Sequence, residues 1–126
     1  MDRALTRAAV VSSWVDKIYA NDFAGAKKLL NNTKSHLIGI ADLRMVNYLM
    51  HKYKKPLFDD YIIDTAAYFT QITIPVFRGS DSTVPGKKID KVDVKLLFYE
   101  PWVTKPDRIE SCEIDLHWIE NSGTSK

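Results

Sequence analysis

Apolar residues recur at helical spacing through the first half of the chain and at alternate positions through the second. Between Asp2 and Ala20, the residues Val11, Trp14, Val15 and Ile18 fall at i, i+3, i+4 and i+7, which predicts one helix with a single buried stripe. Asn21-Asp22 interrupts it, and Asp22 is suited to N-cap a short second helix. There Phe23, Ala26, Leu29 and Leu30 form the buried face, Lys27 and Lys28 project outward, and Asn31-Asn32 ends the run. A third helix is expected from Ile40 to Tyr53, with Leu43, Val46, Leu49 and Met50 as its stripe. Asp42 near its start and Lys52, Lys54 and Lys55 near its end suit the helix dipole, and Pro56 blocks continuation.

Past Asp59-Asp60 the period changes. Ile72, Ile74 and Val76 alternate with Gln71, Thr73 and Pro75, a strand in which the proline calls for an edge position or a bulge. Arg78 to Lys88, rich in Gly, Ser, Asp and Pro, is expected to be a flexible connection. Two further strands follow. Val92, Val94, Leu96 and Phe98 point one way and Lys91, Asp93, Lys95, Leu97 and Tyr99 the other; Cys112, Ile114, Leu116 and Trp118 then alternate with Glu113, Asp115, His117 and Ile119. The short link from Glu100 to Arg108 requires antiparallel pairing. That pairing brings the Lys91/Lys95 row near the Glu113/Asp115 row, a help of roughly 0.2–1 kcal/mol per opposite-charge pair. The expectation is one α+β domain over 1–120, N-terminal helices packed on an antiparallel sheet from the C-terminal half, with 121–126 a frayed polar tail.

Composition adds bounds rather than direction. The 126 residues, 45% hydrophobic and 27% charged, suit a single globular domain, and a net charge of +2 selects no polyanionic partner. Cys112, the single cysteine, fits a reducing compartment. Ala8 to Val11 is too short for a secretory signal, and no segment approaches a membrane span, so a cytoplasmic location is the expectation.

The stretch Tyr19-Ala20-Asn21-Asp22-Phe23-Ala24-Gly25-Ala26-Lys27-Lys28-Leu29-Leu30, together with three helices preceding a sheet, resembles the nuclear-transport-factor-two-like superfamily. That cystatin-like group includes the ketosteroid-isomerase-like enzymes. The resemblance implies a sheet curled into a cone with helices closing its open side. It also implies one of several uses: an enzyme pocket, a dimeric scaffold, or an assembly module in secretion or conjugation machinery.

Catalysis in such a cone needs inward acids or bases, but the inward positions of the last two strands are apolar and Cys112 has no neighbouring base in the sequence. Parity therefore counts against an enzyme. A pocket lined by Tyr48, Asp64, Tyr68 and Trp118, of isomerase, dehydratase or cyclase type, is the alternative. His36, His51 and His117 lack metal-ligand spacing, and neither a metal nor another cofactor is expected. Lys52, Lys54 and Lys55, with Arg44, His51 and Tyr53, form the densest basic patch; a nucleic-acid contact is weighed there against a solvated helix end, and the latter is preferred. Leu97, Tyr99 and Ile119 are apolar where polar residues belong, with Trp102 in the adjoining loop, and suggest a contact surface. The favoured expectation is a non-catalytic binding or assembly module, homodimeric or bound to a protein partner through that face. By the fold analogy, one version is an accessory protein of a mobile element, phage or secretion apparatus.

Overall fold

The computed structural model describes residues 3–30, 39–81, 87–100 and 109–120. The side chains of residues 3, 87 and 118–120 are outside that description. Three helices, α1 (Arg3–Tyr19), α2 (Phe23–Lys28) and α3 (Ile40–Lys52), precede four strands: β1 (Ile62–Thr65), β2 (Phe69–Asp81), β3 (Lys87–Tyr99) and β4 (Ser111–Glu120). The strands form one curved, unclosed sheet in the order β1-β2-β3-β4, every neighbour antiparallel. The α+β class follows directly.

The helices form where the apolar stripes predict them. Ala8, Val11, Trp14, Val15 and Ile18 of α1 and Leu43, Val46, Leu49 and Met50 of α3 are all buried. Asn21, at φ 65°, turns the chain out of α1 in the left-handed region that asparagine tolerates. Asp22 then caps α2 by accepting a hydrogen bond from the Gly25 amide at 2.9 Å. A Cβ at Gly25 would overlap that carboxylate, so glycine is required by the close approach of the cap. After α2, Leu30 bridges in parallel to Ile109, and both are buried. Helix α3 stops three residues short of Pro56, whose ring disfavours helix in the residue before it.

The sheet departs from the expectation in two places. Strand β1 has only four residues, too few for a period to declare itself. And the segment from Arg78 to Lys88, expected to be a flexible connection, supplies the end of β2 and the start of β3. The end of β2 is held by Asp81, whose buried carboxylate accepts hydrogen bonds from Lys52 Nζ (2.9 Å) and Tyr53 Oη (2.7 Å) at the end of α3.

Pro75 satisfies both options open to a proline in a strand. Strand β1 covers β2 only between Thr70 and Thr73, and the register with β3 shifts between Pro75 and Phe77. The extra residue turns Val76 and Phe77 inward together, and both are buried.

The core lies between the helices and the inner face of the sheet. Ile72 and Ile74 of β2 and Val92, Val94, Leu96 and Phe98 of β3 have no exposed surface. On β4 the same face carries Cys112, Ile114 and Leu116, which pack against this core but stay half-buried. Parity in the last two strands is therefore as the alternation predicts.

Candidate functional site: the outer face of the sheet

The register builds the outer face in rows. Ile62, Thr73, Lys95 and Glu113 lie side by side across β1 to β4; Asp64, Gln71, Leu97 and Ser111 form the next row; Phe69 and Tyr99 form the last. At the end of the face near the β1–β2 turn, Tyr99 is 55% exposed and Phe69 37%, Leu97 is half-buried one row in beside Asp64, Gln71 and Ser111, and Tyr68 in the turn itself is 78% exposed; Ile62, 57% exposed, lies two rows in, at the start of β1.

The opposite end is ionic. Asp93 lies directly across from Asp115 on β4, a like-charge neighbour that is unfavourable in isolation. Three cations offset it: Arg78 Nη1 sits 2.7 Å from Asp93, Lys91 Nζ 3.5 Å from Asp93, and Lys95 Nζ 3.6 Å from Asp115. Under them Asp93 is only 4% exposed, although it is on the outer side. The expected cross-strand charge match is thus realised by Lys95, which faces Glu113 and reaches Asp115, whereas Lys91 faces His117. His117 Nδ1 in turn lies 2.6 Å from Asp90 Oδ1, the extra residue of a second register shift.

Of the four residues expected at an interface, Leu97 and Tyr99 fall together at the apolar end. Ile119 pairs with Lys88 at the other end of the sheet, and Trp102 lies outside the described residues. Phe69, not read as a site residue from the sequence, and Tyr68, expected at a pocket, lie beside Leu97 and Tyr99. For Phe69 the signal was present, since the Gln71/Thr73 alternation carried back two residues places it on the same side.

The residues expected to line a pocket do not converge. Asp64 is on the outer face, opposite Gln71, whereas Tyr48 is on α3 beneath the inner face, partly exposed, with Lys52 Nζ 5.5 Å from its ring centre. Tyr68 projects from the β1–β2 turn, and the Trp118 backbone pairs with Ile89 at the far end. Burial, with a smaller contribution from the Glu113 charge, pushes the Cys112 thiol up to about 12, away from the thiolate form that a nucleophile needs. Among the described residues, no cluster of His, Cys, Asp and Glu could hold a metal ion, and no helix is long and apolar enough to cross a membrane.

The three lysines of the basic patch are each paired with an aspartate from elsewhere in the chain. Lys52 pairs with Asp81 (2.9 Å), Lys54 with Asp60 (2.9 Å) and Lys55 with Asp16 (2.7 Å). Hydrogen bonds to Asp81 and Asp16 hold the Lys52 and Lys55 ammonium groups above their ordinary range. His51 is likewise engaged, stacked on Tyr19 at 3.9 Å with Nε2 2.8 Å from the Tyr19 carbonyl oxygen.

One buried charge pair escaped sequence reasoning altogether. Arg7 Nε and Nη2 donate to Glu100 Oε2 and Oε1, both at 2.8 Å, and Thr70 Oγ1 donates to Glu100 Oε2 at 3.1 Å. All three residues are buried, with the Arg7 guanidinium 5.2 Å from the Phe98 ring centre. The pair fastens the start of α1 to the end of β3. Its signal was the place of Arg7 four residues before Val11, on the apolar stripe of α1.

No protein-family model, no curated protein and no solved structure matches the chain.

Proposed function

We propose that the protein is a non-catalytic binding or assembly module that self-associates through the apolar end of its outer sheet face. The observation that carries this reading is the grouping of Phe69, Leu97 and Tyr99 on the last two rows, exposed to different degrees and joined by Tyr68 at the turn. Aromatic side chains supply large contact area at low conformational cost, and contiguous apolar patches mark interaction surfaces. A second copy is the proposed occupant. The curved sheet behind three helices also suits the assembly role that the nuclear-transport-factor-two-like resemblance suggests. Three of the four residues considered for a pocket lie at separate places on the fold, and the inward positions of β3 are apolar and buried, which weighs against the enzyme alternative.

Sedimentation across a concentration series tests the reading. The wild-type chain is expected to reach a larger assembly than the Leu97→Glu/Tyr99→Glu variant, with both folded by circular dichroism. Identical masses for the two at every concentration reject it.

A further inference from the structure

The two edges of the sheet are finished differently. On one side β1 is four residues long and covers β2 only to Thr73; beyond it β2 carries Pro75 and two register shifts. A short edge strand, a proline and bulges are the usual devices that stop a sheet from adding strands. Strand β4 is neither short nor broken by a proline, and the one shift in its ladder with β3 puts the extra residue, Asp90, on β3. It runs for ten residues without a proline, its register with β3 is unbroken from Ser111 to His117, and its helix-side positions Cys112, Ile114 and Leu116 bear no charge. The bridge from Leu30 meets Ile109, before β4 begins, and among the described residues no strand pairs with the outer side of β4. Its three apolar side chains stay half-buried, while their cross-strand neighbours Leu96, Val94 and Val92 are fully buried.

We propose that β4 pairs antiparallel with β4 of a second copy, about a two-fold axis at Leu116, so that two sheets become one. Charge selects the axis. Centred there, Asp115 lies opposite the partner's His117, the reciprocal pair forms by symmetry, and Leu116 meets the partner's Leu116. An axis at Asp115 would set two aspartates against each other, and an axis at His117 would set two histidines against each other and leave Asp115 opposite the partner's Ile119. Because His117 Nδ1 is held by Asp90, the contact with the partner's carboxylate runs through Nε2. The same pairing completes the cover over Cys112, Ile114 and Leu116. Since it uses an edge and not the outer face, this association stands apart from the sheet-face reading, and the two succeed or fail separately.

The experiment uses the Leu97→Glu/Tyr99→Glu chain as background, in which the face contact is removed. Sedimentation is expected to show a concentration-dependent dimer in that background. Adding Leu116→Lys, which sets two ammonium groups face to face on the axis, raises the dissociation constant at least about tenfold. A background protein that is monomeric at every concentration overturns the edge pairing whatever becomes of the face; so does a dimer indifferent to Leu116→Lys. Should the lysine variant fail to fold, amide exchange in the background protein decides. Outward-facing amides of β4 slow as concentration rises if the strands pair, and exchange at a constant rate if they do not.

Discussion

The two faces of one sheet obey different rules. On the inner face every apolar residue of β3 is buried, and a buried charge cluster, Arg7 with Glu100 and Thr70, is joined by three hydrogen bonds. The outer face is divided. One end leaves Phe69 and Tyr99 partly in solvent, and the other buries Asp93 beneath two cations. The same alternation of residues produces both, so parity sets which side chains face out but not whether they are finished. An apolar residue facing inward contributes about 1.5–3 kcal/mol through burial. One facing outward contributes to folding only when something covers it, and that difference separates residues serving stability from those available for contact.

The comparison breaks hardest at the buried ion pair. Arg7→Ala leaves the Glu100 carboxylate buried without its bidentate partner, and urea denaturation is expected to show a loss of about 3–5 kcal/mol. A loss below about 1 kcal/mol would mean that water reaches Glu100 and that the inner face is not sealed. Next comes Ile74→Ala, which empties a fully buried site on the inner side of β2 at a cost of about 2–5 kcal/mol. On the outer side, Asp93→Ala strips the carboxylate from Arg78 and Lys91, and about 1–3 kcal/mol is expected because Asp93 is buried there. Leu97→Glu/Tyr99→Glu should change stability by no more than about 0.5 kcal/mol per site. A large loss there would make these residues part of the core rather than of a contact surface.

The smallest effect contrasts an exposed pair with the buried one. Asp60 accepts a hydrogen bond from the Leu57 amide at 2.8 Å and holds Lys54, and these contacts, the amide first, keep its carboxyl below the ordinary value of 3.8. Its folded-state pKa is depressed, so its stabilisation is complete above 3.8 and fades as pH falls through the lower folded value. Asp60→Asn should lower the melting temperature slightly at neutral pH, and the difference from wild type should vanish in a thermal-denaturation series once the pH falls below the folded-state value.

What the sequence disclosed was whatever repeats locally. The helical stripes, the Asp22 cap, the parity of β3 and β4 and the double meaning of Pro75 all follow from residues a few positions apart. What it concealed depends on distant partners or on too few residues. Arg7 and Glu100 are separated by 93 positions, and no local pattern announces their contact. The lysines at the end of α3 form a basic patch in sequence and three separate ion pairs in space, because Asp16, Asp60 and Asp81 come to them from elsewhere. Strand β1 is short enough that its pairing with β2, not its own alternation, makes it a strand. The contact surface was half legible: Leu97 and Tyr99 break the polar rule on β3, and the alternation of β2 puts Phe69 on the outer side, but that Phe69 lies directly across from Tyr99 follows only from the register.

A dilution series followed by nuclear magnetic resonance puts the contrast between the faces to its most direct test. The account predicts that signals from the side chains of Phe69, Leu97 and Tyr99 move as the protein is concentrated, while those of Ile72 and Val94, one layer away on the sealed side, stay fixed. Concentration-independent signals on both faces would contradict it.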